Sequence, residues 1–147
     1  MTETTAQRLA DLHETLDMFA EPSDRADLLI SYADRFRDVP PDVAERPFPK
    51  SHQVPQCESE AYVWAQVGTD DALTLHFAVE NPSGISAKAL AAILQQVYNG
   101  QPAADILALD PDFVERVFRQ NISMGKGLGL RSMILAAQAL VRQVMPD

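Results

Sequence analysis

The side chains in this sequence best suited to nucleophilic or metal chemistry are one thiol, Cys57, and three imidazoles, His13, His52 and His76. A thiolate attacks disulfides, persulfides and carbonyl carbons, whereas a buried free cysteine acts as a small hydrophobe. His52, in the same segment as Cys57, is its nearest candidate base. A cysteine-nucleophile enzyme also needs an orienting third group and an oxyanion hole, and neither has a signature here. The histidines form no His-x-x-x-His pair or carboxylate cluster, and one cysteine cannot build a multi-cysteine zinc site, so no metal and no cofactor is expected. Gly125-Lys126-Gly127-Leu128-Gly129 invites a phosphate-loop reading. That motif, however, needs Gly-x-x-x-x-Gly-Lys followed by Ser or Thr, between a strand and a helix. The glycines read instead as a flexible lead-in to a helix.

One thiol without a neighbour can accept a group and hand it on. A persulfide carrier works best with a single cysteine, because a second nearby thiol would attack the persulfide, close a disulfide and expel the sulfur. Glu58 and Glu60 flank Cys57 and oppose charge on its sulfur, so activation is expected from a partner's site or from local backbone donors. A purely structural, noncatalytic interaction module would not need Cys57 at all.

The elements that must position the thiol follow from periodicity. Leu9, Leu12, Leu16 and Phe19 recur at helical spacing between Glu3 and Ala20, and after Pro22 a second helix runs to Phe36 with Leu28, Leu29 and Tyr32 on its apolar stripe. Pro40, Pro41, Pro47, Pro49 and Pro55 make residues 39–55 an extended connector. Glu60–Val67 and Ala72–Glu80 alternate as a hairpin around Gly68-Thr-Asp-Asp71, with one aliphatic and one mixed face. Helices should cover the aliphatic face, and Val54 with its neighbours is expected to add a short third strand. Ser86 is the expected N-cap of a helix ending at Asn99-Gly100. A short helix near 102–108, one near 111–120 capped by Asp110, and a final helix from about Leu130 to Val144 complete the order. Helices, then strands, then helices argue for an α+β fold with an antiparallel sheet covered mainly on one face.

With 147 residues, 46% of them hydrophobic and 22% charged, the chain fits one domain that buries its own core. A formal charge of −9 repels phosphate backbones, which argues against a nucleic-acid partner. The polar N-terminus lacks the pattern of a signal peptide and no apolar run is long enough to span a membrane. A single cysteine suits a reducing compartment, so a cytoplasmic protein is expected.

The stretch Val54-Pro-Gln-Cys57-Glu-Ser59-Glu-Ala61-Tyr62-Val-Trp64, the paired N-terminal helices, the proline-containing approach, the hairpin and Gly129-Leu-x-x-Met133-Ile134 together resemble the SufE family of sulfur acceptors, of SufE and CsdE type. In that family the cysteine commonly sits in Val-x-Gly-Cys-Gln-Ser, followed by an apolar residue and an aromatic. Here Val54, Cys57, Ser59, Ala61 and Tyr62 match. Gln56 stands in the glycine's place, Glu58 in the glutamine's, and Lys126 falls near a family arginine. The resemblance implies the fold shared by SufE and IscU, with a three-stranded antiparallel sheet. It also implies persulfide carriage on Cys57 from a SufS-like, pyridoxal-phosphate cysteine desulfurase to a SufBCD-like Fe–S scaffold. Val54, Gln56, Glu58, Ser59, Tyr62, Trp64 and Lys126 are then the expected site-shaping or partner-contacting residues. An IscU-type scaffold role would need several cluster ligands that one cysteine cannot supply.

Overall fold

The computed structural model describes residues 3–121 and 124–145, with the backbone alone for 124–126. Helix α1 (Thr5–Met18) starts at a capping box in which the Thr4 hydroxyl accepts from the Gln7 N–H and the Gln7 side chain accepts from the Thr4 N–H. Helix α2 (Pro22–Arg35) begins with proline at its first position, where the missing N–H costs nothing. Strands β1 (Ala61–Val67) and β2 (Leu73–Val79) follow the connector. Helix α3 (Ile85–Tyr98), a 3-10 segment (Ala103–Ala108), helix α4 (Phe113–Phe118) and helix α5 (Met124–Val144) complete the chain.

Helix α3 is apolar on nearly every side: Ala87, Leu90, Ile93, Leu94, Val97 and Tyr98 are all buried. A helix hydrophobic all round must sit inside. It packs against α2, β2, α1 and α5, while α5 packs on β1. The inward face of the hairpin, Ala61 and Val63 with Leu73, Leu75 and Phe77, closes this core. Full burial of Leu73, Leu75 and Phe77 contributes roughly 1.5–3 kcal/mol each before chain entropy is counted.

The strands pair antiparallel with Ala61 opposite Val79 and Val67 opposite Leu73, the hairpin expected from alternation. The outer edge of β2 is closed piecemeal. The Val39 N–H donates to the Phe77 carbonyl, the Asn99 side chain accepts from the Leu75 N–H, and Gly100 and Gln101 bond Leu73.

Three expectations are corrected. The sheet has two strands rather than three. Residue 53 makes only an isolated bridge to Tyr62, through the Val54 N–H to the Ala61 carbonyl; Pro55, next in line, has no N–H and the chain turns away. Helix α3 is capped at Gly84, ahead of Ser86, which already lies within the helix. Helix α5 begins at Met124, so the glycines are helical rather than a loop.

The proline-rich connector folds across the second face of the sheet. Val39, Trp64 and Ala78 are buried there with Phe48, Tyr62, Val43 and Ala44 around them. Arg46 lies over the Phe48 ring at 4.9 Å and joins Asp38 (3.1 Å) to Glu80 (2.8 Å). Its hydrogen bonds to both carboxylates, Glu80 first, hold the guanidinium above its ordinary pKa. Because these groups are exposed, the pairs orient the connector more than they stabilise it.

Candidate functional site

Cys57 stands in a tight loop between the connector and β1. Val54, 2% exposed, anchors the loop on one side. On the other side the Glu60 N–H donates to the Cys57 carbonyl, the Asn81 N–H to the Ser59 carbonyl and the Glu80 N–H to the Glu60 carbonyl, which fastens the loop to the exit of β2. Gln56 (φ 61°) and Glu60 (φ 53°) both adopt the left-handed conformation, which an L side chain occupies at a cost of about 1 kcal/mol or more.

The start of α3 and the second turn of α5 close on this loop. A Cβ placed on Gly84 would lie 2.8 Å from Val79 Cγ1 and 3.0 Å from Ser59 Cβ. A Cβ on Gly129 would lie 2.9 Å from the Gln56 carbonyl oxygen and 3.1 Å from Cys57 Cα. Real Cβ atoms rarely approach so closely; glycine lets the α5 backbone meet the loop backbone at Gly129 and makes room for the Ser59 and Val79 side chains at Gly84. Between the two helices lies a cavity of about 160 Å³ lined by Cys57, Ser59, Asn81, Ser86 and Leu130 among others. Cys57 is half-buried and packs against the main core.

The first turn of α3 has no acidic residue and no side-chain cap. Its N–H groups lack acceptors within the helix, and its dipole favours negative charge at that end. The arrangement is therefore a reachable sulfur beside a small, partly polar cavity with a helix N-terminus in its wall. Glu58 lines the same cavity and opposes negative charge there, against the pull of the helix.

The expected site residues are divided by the sheet. Glu58 and Ser59 line the cavity with Cys57, and Val54 and Gln56 line a shallow depression on the other side of the same thiol. Tyr62 and Trp64 lie on the opposite face, against Phe48 at 5.2 and 5.1 Å. Lys126 falls in the first turn of α5, and its side chain lies outside the described residues. His52 donates from Nδ1 to the Val63 carbonyl at 2.9 Å and stacks on Trp64 at 5.2 Å. It shares neither cavity wall with Cys57, so the thiol lacks the base that a cysteine hydrolase reading assigned to it.

Burial lowers the pKa of His13, aided by Arg116 and opposed by Asp17; burial likewise lowers that of His76, opposed by Asp42. Neither histidine reaches the thiol's cavity, and among the described residues no cluster of histidine, cysteine and carboxylates suits a metal. Sequence reasoning missed Gly84 and Asn81 as parts of the site. Their only signal was the turn Asn81-Pro-Ser-Gly84 that ends the hairpin.

The family model for SufE, described as the Fe-S metabolism associated domain, matches residues 10–141. The chain belongs to the SufE family. Two uncharacterized SufE-like proteins, from the CDC 1551 / Oshkosh and ATCC 25618 / H37Rv strains of Mycobacterium tuberculosis, are each 32% identical to it over 108 residues, covering 71% of both chains. The solution structure of a hypothetical protein from Thermus thermophilus superposes with a TM-score of 0.71 at 24% identity, covering 93% of this chain and 95% of the other. That similarity shows a shared α+β fold. SufE membership associates the chain with Fe–S metabolism. Among the described residues no helix is long and apolar enough to cross a membrane.

Proposed function

We propose that this SufE-family protein is a sulfur carrier in the cytoplasm, not itself an enzyme. It accepts persulfide sulfur on Cys57 from a SufS-like, pyridoxal-phosphate cysteine desulfurase, stimulates that enzyme, and delivers the sulfur to a SufBCD-like Fe–S scaffold. The observation that carries the reading is the chain's only thiol, half-buried and opening on a cavity with room for an added sulfur. The Cys57 thiolate attacks the outer sulfur of the desulfurase persulfide. The new S–S bond forms as the old one breaks, and the desulfurase cysteine leaves as thiolate, with no net oxidation or reduction. In the product the terminal sulfur carries the negative charge, which the N-terminal end of α3 favours. A scaffold thiolate repeats the exchange and frees Cys57.

Incubation with a cysteine desulfurase, pyridoxal phosphate and free cysteine, followed by intact mass measurement, tests this. The wild type gains one sulfur and accelerates desulfurase turnover, and Cys57→Ser does neither. A wild type that takes no sulfur from a competent desulfurase would sink the proposal.

A further inference from the structure

We infer that Gly84 and Gly129 are positioning residues for sulfur transfer: they let the start of α3 and the second turn of α5 seat the Cys57 loop at the depth where its thiol opens into the cavity. The inference rests on reading Cys57 as the sulfur carrier. The two glycines press from different sides and on different atoms. A Cβ at Gly129 would meet the Gln56 carbonyl oxygen (2.9 Å), the Cys57 Cα (3.1 Å) and the Gln56 carbonyl carbon (3.6 Å). One at Gly84 would meet Val79 Cγ1 at 2.8 Å, at the end of β2, and Ser59 at both Cβ and Oγ, 3.0 Å each. The loop is therefore gripped at its backbone just before the reactive sulfur, by Gly129, and at the Ser59 side chain just after it, by Gly84, and both glycines line the cavity with Cys57.

The grip explains why α5 keeps a glycine at 129. Three glycines in its first two turns, Gly125, Gly127 and Gly129, cost helix stability of about 1 kcal/mol each relative to alanine. At Gly129 that cost is offset by contact no other residue permits. The grip also explains the conformation of Gln56. Its φ of 61° directs the peptide that ends in Cys57, and it is this peptide's carbonyl that faces Gly129. Gln56 and Gly129 are thus coupled: a side chain at 129 must push on the Gln56 carbonyl, and the strained, non-glycine backbone at 56 has little freedom to turn it aside.

The test compares wild type, Gly129→Ala, Gln56→Gly and the double variant Gln56→Gly/Gly129→Ala. Each is first checked for its fold by circular dichroism. Two rates are read: sulfur loading of Cys57 from a cysteine desulfurase, and alkylation of Cys57 by iodoacetamide without any partner. Gly129→Ala is expected to slow loading by roughly tenfold, since the loop must give by a few tenths of an ångström where a full ångström can cost about a hundredfold. Alkylation should accelerate, because the loop is lifted off α5. A lesion that merely loosened the fold would not be undone by a second glycine in the loop; here the double variant should load at least about threefold faster than Gly129→Ala alone. Wild-type loading and alkylation rates in Gly129→Ala, or a double variant as slow as the single one, overturn the inference. If the wild type itself takes no sulfur, the carrier reading fails, and the alkylation rates still decide whether the glycines set the thiol's depth. Should Gly129→Ala not fold, Gly84→Ala, pressing on Ser59 from the other helix, is read by the same two rates.

Discussion

Two places in this protein bring helices together around one functional group, and they are built in opposite ways. Arg25, 1% exposed, sits where the end of α1 meets α4. It donates to the carbonyls of Phe19 (2.9 Å), Leu16 (2.6 Å), Arg116 (3.0 Å) and Val117 (2.6 Å). Burial, then the nearby Arg119, lowers its pKa against the opposing pull of Asp17, yet arginine stays charged in proteins. Its charge is shared among carbonyls at helix C-termini, where a cation is favoured. At Cys57 the helices meet through the N-terminus of α3 and the second turn of α5, and among the described residues the sulfur has no hydrogen-bond partner. The loop is held by steric contact and backbone bonds instead. Saturated hydrogen bonding fixes a group that has no further chemistry to do, whereas packing without partners holds a group and leaves its valence free.

The contrast can be broken from the Arg25 side first. Arg25→Ala leaves buried carbonyls at two helix ends unsatisfied and should cost about 3 kcal/mol or more in urea unfolding, while Cys57→Ser leaves stability nearly unchanged. On the other side, Gln56→Gly relieves the left-handed backbone. Its gain, set against the larger entropy glycine brings to the unfolded chain, should be about 0.5–1 kcal/mol in the same measurement. A loss of stability there would mean that the Gln56 side chain carries the loop.

Beside the Arg25 junction, His13 presents its edge to Phe113 at 6.0 Å, and its Nδ1 is buried without a partner among the described residues. Its folded pKa lies below the ordinary value of 6.5, so the unfolded chain takes up the proton first as pH falls. Stability is then full above about pH 6.5 and declines below it until the folded pKa is reached. His13→Leu should flatten part of that decline below about pH 6.5. His76, shifted in the same direction, retains the remainder. The smallest effect is expected from His52→Ala, whose ring serves Val63 and Trp64. Sulfur loading should stay at the wild-type rate, and a marked loss would restore His52 as a base for Cys57.

Much of this architecture was legible in the sequence because its periods are clean. Leu73, Leu75 and Phe77 alternate, and Leu12 and Leu16 or Leu90, Ile93 and Leu94 repeat at helical spacing. Cys57 was singled out by being alone. What was not legible depends on contacts distant in sequence. Gly125, Gly127 and Gly129 have poor helix propensity, and only the approach of the Gln56–Cys57 peptide makes a helix the better use of Gly129. A third strand looked natural from Val54, but one proline ended it. Arg25 reads as an ordinary charged helix residue until α4 is folded against it. Nor does alternation reveal that the mixed face of the hairpin is roofed by the connector.

That roof has an optical consequence. Trp64 is the chain's only tryptophan, and it is enclosed between Phe48 and His52 on the face of the sheet away from the cavity. Its emission is therefore a gauge of whether the proline-rich segment stays seated. Alkylation of Cys57 should leave that light nearly unchanged, so an observer following fluorescence would be watching the back of the molecule.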